Sequence, residues 1–91
     1  MGIYYAAVYR EVNKYFESPR EFSIKMPGIF HPQNPFPQMV VMMNSLGNDF
    51  KIENDFYMPC YYDDCEDITE IVYEKFLQYY PWAKDFYEMG L

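Results

Sequence analysis

The sequence predicts an α+β fold in which one domain, residues 1–91, holds a three-stranded, mainly antiparallel sheet against an N-terminal helix and a C-terminal helix pair. Three observations lead to this prediction. The 91 residues are 51% hydrophobic and 22% aromatic, which suffices for one small core. Apolar residues recur at helical spacing towards both ends of the chain, whereas they alternate or run continuously in its middle. Because the three predicted strands follow one another with no helix between them, they favour antiparallel pairing with the helices on one face.

Residues 3–17 carry apolar side chains at the spacing of one helix face, with polar and charged residues between them. The apolar positions are Tyr5, Val8, Tyr9, Val12, Tyr15 and Phe16. This pattern predicts an amphipathic helix, which ends at Ser18 because the residue before Pro19 is pushed out of the α region. Residues 3–9 also suit the start of a strand, since β-branched and aromatic residues favour strands. Both interpretations remain open at this point.

The middle of the chain predicts the three strands. Residues 21–26 alternate apolar and polar side chains, which is the pattern of a half-buried strand. Residues 38–45 form a continuous apolar run, which favours a central strand that is covered on both faces. Residues 50–53 alternate again after a turn at residues 46–49, so the last two segments predict a β-hairpin.

A proline-rich segment, residues 27–37, connects the first two predicted strands. Its four prolines predict a long loop, which Ile29, Phe30 and Phe36 are expected to anchor to the core. An extended arm that recognises a partner is the alternative interpretation. The strand that follows contains three methionines, interpreted as core residues with a methionine-lined ligand groove as the alternative. They are Met39, Met42 and Met43.

Two helices are predicted near the C-terminus. Asp67 caps the first, and Glu70 at its third position completes a capping box, in which side chains and backbone satisfy each other's hydrogen bonds. This helix is expected to end at Tyr80, before Pro81. Its apolar stripe comprises Ile68, Ile71, Val72, Phe76 and Tyr79. Pro81 suits the first position of a short terminal helix that folds back on the core before Gly90. Its apolar positions are Trp82, Phe86 and Met89.

Charge is distributed unevenly along the chain. The net charge is −7, but residues 1–48 hold three acids and four bases, whereas residues 49–91 hold eleven acids and three bases. An acidic surface repels the phosphates of nucleic acid, so direct nucleic-acid binding is not expected. Such a surface instead attracts a basic partner.

The candidate binding site is an acidic cluster flanked by tyrosines. Its predicted partner-binding residues are Asp63, Asp64, Glu66, Asp67, Glu70, Glu74, Tyr61, Tyr62 and Tyr73. Carboxylates along a helix imitate the charge density of duplex nucleic acid, which carries one charge per about 1.7 Å. Tyrosine rings beside them would supply the contacts that stabilise a protein complex. The alternative interpretation is a solvated acidic surface that aids solubility.

Metal binding and catalysis are weakly indicated. Cys60, Cys65 and His31 are possible zinc ligands, but the C-x4-C spacing lacks a second cysteine pair. The run D-D-C-E-D lacks the spacing and the glycine of a calcium loop. No nucleophile elbow or phosphate loop is present, so we expect a protein that is not an enzyme and that holds no metal or cofactor.

Compartment is inferred from the cysteines and from hydropathy. Cys60 and Cys65 suit free thiols in an intracellular protein, with a disulfide across their short loop as the alternative. No run of 18 apolar residues is present, and charges occur early in the chain, so neither a membrane span nor a signal peptide is expected. The predicted location is the cytoplasm.

In general character the chain resembles small bacteriophage proteins that inhibit host restriction, CRISPR or transcription machinery, some of them by mimicking nucleic acid. It shares with them a short, acidic, tyrosine-rich composition without catalytic motifs. The resemblance covers composition over the whole chain and carries no residue roles. It implies an inhibitor that occupies the basic site of a nucleic-acid-binding or defence protein in the cytoplasm of a host cell.

Two other functions remain open. One is a small-ligand or nucleotide-binding domain, whose pocket would be lined by aromatic residues such as Phe36, Tyr57 and Trp82 and would form within one chain or between subunits. The other is a structural subunit of a larger assembly. A homodimer is compatible with each of these functions.

Overall fold

The computed structural model describes residues 3–20, 22–25 and 27–89, which form an α+β fold. The strands are β1 (Tyr5–Tyr9), β2 (Lys14–Phe16), β3 (Lys51–Asn54) and β4 (Glu66–Asp67). The helices are α1 (Phe36–Ser45), α2 (Tyr61–Asp64), α3 (Thr69–Tyr79) and α4 (Ala83–Glu88). Short 3-10 helices occupy Arg10–Val12 and Gly28–Phe30.

The described strands form one four-stranded mixed sheet in the order β3-β1-β2-β4. β1 pairs antiparallel with β2, placing Val8 opposite Tyr15, and antiparallel with β3, placing Ala7 opposite Ile52. β2 pairs parallel with β4. The predicted three-stranded, mainly antiparallel sheet is therefore wrong, although the α+β class is correct.

The N-terminal segment is a β-hairpin, so the predicted helix over residues 3–17 is wrong and the strand alternative for residues 3–9 is correct. Ala6, Ala7 and Val8 are all buried, because both faces of β1 are covered. Asn13 reverses the chain in the left-handed conformation, with φ of 55°, which asparagine adopts more readily than most residues. Apolar positions on the two sides of this tight turn resemble a helical repeat when they are read along the sequence.

Residues 38–45 lie within α1, so the predicted central strand and its hairpin are wrong. A continuous apolar run fits a buried helix as well as a strand. Pro35 and Pro37 are compatible with the start of α1, because the backbone N–H groups of the first helical turn have no hydrogen-bond acceptor within the helix. Three methionines face the core while Val41 is exposed, which confirms the core interpretation of the methionines: Met39, Met42 and Met43. The predicted strand at residues 50–53 survives as β3, but it pairs with β1.

The predicted strand at residues 21–26 is wrong as well, and its end residues Glu21 and Met26 lie outside the described residues. Between them, Lys25 forms a single isolated bridge with Tyr4. The proline-rich segment that follows is anchored as expected at Ile29 and Phe36, which are fully buried. Phe30, the third expected anchor, is partly exposed.

The two C-terminal helices are present, with one change at the start of α3. Asp67 belongs to β4, and its carboxylate accepts a hydrogen bond of 2.9 Å from the backbone N–H of Thr69. The Ile68 N–H donates to the Tyr15 carbonyl at 2.8 Å, which holds the residues before Thr69 extended against β2. α3 therefore begins without the predicted capping box. The expected stop of α4 at Gly90 lies outside the described residues.

Both faces of the sheet are covered, but by different parts of the chain. Ala7 and Phe16 face the main core, which α1, α3 and α4 complete. Ala6, Val8 and Tyr15 face the opposite side, where Tyr61 of α2 packs over them. In the predicted stripe of α3, Ile68, Val72 and Phe76 are buried, whereas Ile71 and Tyr79 are exposed.

Candidate functional site

Six predicted site residues form an acidic band around one edge of the sheet. The acidic band consists of Asp63 and Asp64 on α2, Glu66 and Asp67 on β4, and Glu70 and Glu74 on α3. All six are exposed. Because α2 covers one face of the sheet and α3 the other, with β4 at the edge between them, the band continues from one face to the other.

The acidic band is almost free of compensating cations. Arg10 is its nearest ion-pair partner, with Nη1 lying 3.9 Å from Oδ2 of Asp64. Within the described ranges, no other salt bridge involves these six acids. The charge is therefore available to a partner. The charge of Glu66 and Asp67 also protects the exposed edge of β4, because charged side chains on an edge strand disfavour pairing with a strand of another molecule.

The three flanking tyrosines occupy different environments. Tyr61 is fully buried (0% exposed), and its ring lies 4.8 Å from that of Tyr15. Tyr62 is 41% exposed, and its hydroxyl donates a hydrogen bond of 3.1 Å to Oε2 of Glu17. Tyr73 is half-buried and donates to Glu88. Tyr61 thus anchors α2 to the sheet, and Tyr62 presents the most exposed ring to a partner.

Burial and nearby negative charge raise the pKa values of Tyr62 and Glu17, which lie beside the band. Burial is the main cause that raises the pKa of Tyr62 to about 12. Burial also raises the pKa of the Glu17 carboxyl, an effect that the hydrogen bond from Tyr62 opposes and the nearby Asp67 reinforces. Tyr62 is therefore a neutral hydrogen-bond donor at physiological pH. Glu17 adds a further carboxylate beside the band, and its burial disfavours the charged form of this carboxylate.

A cleft of about 210 Å³ adjoins the acidic band. It lies between α3 and the segment after β2 that carries Pro19, Arg20 and Phe22. Phe22 and Tyr73 supply aromatic walls, and Glu70, Glu74 and Glu88 supply carboxylates. Arg20 lines the cleft too, but forms no ion pair with these carboxylates in the part of the chain that the structure describes. Aromatic faces and carboxylates together stabilise a cation. The cleft has the size and charge to accept one lysine or arginine side chain.

Arg10 positions α2 and the loop before it, a role that the sequence pattern did not indicate. Its guanidinium bonds to Glu53 and donates to the Pro59 carbonyl at 2.6 Å. It also lies 5.1 Å from the centre of the Tyr57 ring. These contacts join residues distant in sequence, so no local sequence pattern indicates them.

The aromatic residues proposed for a ligand pocket lie in three separate places. Phe36 is buried in the main core. Tyr57 is exposed on the loop beside Arg10. Trp82 lines a groove between the C-terminal helices and the segment before α1. A pocket built from these three residues together is therefore not formed within the chain.

Cys60 and Cys65 are free thiols, so the disulfide alternative is not formed. Burial raises the pKa of the Cys65 thiol. Among the described residues, no group of three or more histidine, cysteine, aspartate or glutamate side chains is arranged to hold a metal ion. His31 is exposed at the end of a 3-10 helix. The absence of metal, cofactor and catalysis remains a prediction.

None of the helices in the described part of the chain has the length and hydropathy needed to cross a membrane.

Comparisons with protein-family models, with curated proteins and with solved structures found no match to this chain. The function of this chain is therefore inferred from its own surface.

Proposed function

We propose that this chain is a small protein-binding domain whose acidic band occupies the basic site of another protein and blocks nucleic acid from that site. The observation that carries the proposal is the continuous course of six exposed, nearly unpaired carboxylates around the β4 edge. A charged surface of one sign steers an oppositely charged partner and raises its association rate. No catalytic step and no cofactor are needed.

The charge density of the band limits the size of the site that it fits. Glu70 and Glu74 lie one helical turn apart, about 6 Å along α3, whereas duplex DNA carries a charge every 1.7 Å or so. The band is thus sparser than a duplex. It fits a basic site built from a few lysines and arginines rather than a long nucleic-acid channel.

The cleft beside α3 supplies a specific contact to accompany the diffuse charge. A lysine or arginine from the partner would place its cation among Glu70, Glu74 and Glu88, against the Tyr73 ring. Buried cation–carboxylate contacts fix register, which exposed surface pairs do not. Tyr62, beside the band on α2, adds an exposed aromatic ring of the kind enriched at binding hot spots.

Because the composition resembles that of small bacteriophage inhibitors, the proposed partners are host proteins that bind nucleic acid or defend the cell against foreign nucleic acid. Restriction and CRISPR effectors and transcription proteins are the candidate classes, met in the host cytoplasm. An acidic surface that serves only solubility and protection of the β4 edge is the competing explanation.

The test compares two charge-reversal variants that carry equal changes in net charge. The band variant is Asp63→Lys, Glu70→Lys and Glu74→Lys, and the control variant is Glu11→Lys, Asp49→Lys and Asp85→Lys. All six positions are exposed. Circular dichroism and thermal unfolding first establish that both variants keep the fold. Tagged wild type and both variants then capture proteins from host lysate in parallel.

The proposal expects a basic protein that wild type and the control variant retain and that the band variant loses. Competing duplex nucleic acid should release that protein, and its purified complex should weaken steadily with added salt. Equal capture by the band variant, or a complex indifferent to nucleic acid and salt, would assign the acids to solubility alone.

A further inference from the structure

A short loop between β3 and α2 exposes three apolar side chains in succession. This apolar tip consists of Phe56 (71% exposed), Tyr57 (53%) and Met58 (77%). An aromatic side chain has about 200 Å² of surface, so the two rings display about 250 Å², and Met58 adds to this area. Apolar residues scattered singly over a surface are ordinary, whereas a contiguous patch of a few hundred Å² is often functional.

Hydrogen bonds hold the start of this loop in one conformation. The Asp55 N–H donates to the Tyr4 carbonyl at 3.0 Å, and the Asp55 carboxylate accepts from the Tyr4 N–H at 3.2 Å. Asn54 forms the turn that follows. Its side-chain oxygen accepts from the Phe56 N–H at 2.9 Å, and its carbonyl accepts from the Tyr57 N–H at 3.2 Å. Binding through the tip therefore costs little additional conformational entropy.

Arg10 holds the end of the loop and joins the apolar tip to the acidic band. Its guanidinium donates to the Pro59 carbonyl at 2.6 Å and lies 5.1 Å from the centre of the Tyr57 ring. The same guanidinium lies 3.9 Å from the carboxylate of Asp64, which belongs to the band. Because Tyr57 and Asp64 contact one shared side chain, the apolar tip adjoins the α2 end of the acidic band.

The residues around the tip indicate the chemistry of the surface that it contacts. Residues 56–62 carry no charge, and Asp55 precedes them while Asp63 follows them. The positive charge of Arg10 beside the tip is paired with Glu53. An apolar centre with acids at its border is complementary to an apolar pocket that has basic residues at its rim.

We propose that the apolar tip inserts into an apolar pocket beside the basic site of the partner that the acidic band binds. This inference rests on the proposed function and divides the interface into two parts. Charge on the band steers the partner and so sets the association rate, whereas apolar burial at the tip sets how long the complex lasts. The tip supplies selectivity, because an acidic surface attracts any basic site.

Binding kinetics separate the two parts of the interface. The protein that wild type captures and the band variant loses is purified, and surface plasmon resonance measures its association and dissociation rates with single variants. Phe56→Ala and Met58→Ala should each raise the dissociation rate by about tenfold or more and leave the association rate within about twofold of wild type. Glu74→Gln, at an exposed acid of the band, should instead lower the association rate.

Salt dependence gives a second, independent readout. Because the tip carries no charge, Phe56→Ala should weaken the complex by the same factor at about 0.05 M and about 0.5 M salt, whereas the effect of Glu74→Gln should fade as salt screens it. Phe86→Ala removes the same ring at an exposed position of α4 and is the matched control, which should leave both rates unchanged. Circular dichroism and thermal unfolding establish that each variant keeps the fold.

Wild-type rates for Phe56→Ala and Met58→Ala, in a complex that the band variant loses, would overturn this inference and leave the proposed function intact. A partner that the band variant retains and Phe56→Ala loses would reject the proposed function, and with it a pocket beside a basic site. Capture of no protein by wild type would overturn both. Cosedimentation of wild type, but not of Phe56→Ala, with phosphatidylcholine vesicles would assign the tip to a membrane surface instead and overturn insertion into a protein.

Discussion

Arg10 donates two hydrogen bonds to the carboxylate of Glu53, one of 2.7 Å from Nη2 to Oε1 and one of 3.0 Å from Nε to Oε2. This bidentate pair joins the end of β1 to β3, and the same Nη2 donates to the carbonyl of Pro59. Arg10 thus ties the segment that leads into α2 to the sheet. The orientation of one end of the acidic band depends on this side chain.

Replacing Arg10 with glutamine should lower the free energy of unfolding by about 2 kcal/mol, because charge-assisted hydrogen bonds are lost. Lysine should recover little of this loss, since it cannot form the bidentate pair. Urea unfolding measures the change, and limited proteolysis at residues 56–59 should become faster. Lys14→Ala, an exposed cation of the same hairpin, is the control. Unchanged stability and proteolysis in Arg10→Gln would contradict this role.

Asn34 satisfies its whole side-chain amide while buried. Its Oδ1 accepts from the Ser18 hydroxyl and the Phe36 N–H, both at 3.0 Å. Its Nδ2 donates to the carbonyls of Ser23 at 2.9 Å and Gly28 at 3.1 Å. Asn34→Asp should cost about 3 kcal/mol, because a buried carboxylate would face two carbonyls.

Thermal and urea unfolding test this prediction with a close control. Gln33→Glu makes the same amide-to-acid change at the exposed neighbouring residue, where a change within about 0.5 kcal/mol is expected. If Asn34→Asp lowers the free energy of unfolding no more than Gln33→Glu does, the hydrogen bonds of Asn34 contribute little to stability.

Tyr61 and Tyr62 should respond oppositely to loss of their hydroxyls. The buried Tyr61 hydroxyl forms no hydrogen bond of normal geometry with a described residue. Burial and the interaction with the Tyr62 hydroxyl raise its pKa, but Tyr62 donates its own hydrogen bond to Glu17. Tyr61→Phe should therefore raise stability by about 1 kcal/mol. Tyr62→Phe should lower it by about 0.5 kcal/mol through the lost bond to Glu17. Urea unfolding of both variants provides the measurement. A destabilised Tyr61→Phe would mean that this hydroxyl has a partner in solution.

Glu17 should make stability depend on pH. Burial raises the pKa of this carboxyl in the folded state above its ordinary value of 4.5. Its contribution to stability is thus fully present below pH 4.5 and is lost as the pH rises through the folded-state pKa. Glu17→Gln, which keeps an acceptor for Tyr62, should therefore be more stable than wild type at pH 7.

Urea unfolding at several pH values measures this difference, which should disappear below pH 4.5. Glu11→Gln, at an exposed position, is the control and should show no such dependence. A stability difference between Glu17→Gln and wild type that stays constant with pH would reject the burial explanation.

Several errors in the predicted fold share one cause. Residues 3–17 and 38–45 contain apolar patterns that fit more than one secondary structure, and in each segment tertiary contacts decide between them. Val8 is a strand residue because Tyr15 and Lys51 lie opposite it, and neither partner is marked in the local pattern. Tyr61 is predicted as a partner-binding residue because tyrosines often are, yet α2 packs its ring against Val8 and Tyr15 of the sheet and buries it completely.

The sequence by itself determined the α+β class, the C-terminal helix pair and the exposure of the acidic band. Exposure of the six acids follows from chemistry alone, because burying an unpaired carboxylate costs more than a small domain can offset. The tertiary structure decided which strands pair, which tyrosines remain at the surface, and that the acids continue from one face of the sheet to the other. Those outcomes depend on contacts between residues far apart in the chain, such as Arg10 with Glu53 and Tyr15 with Asp67, and no local pattern encodes such contacts.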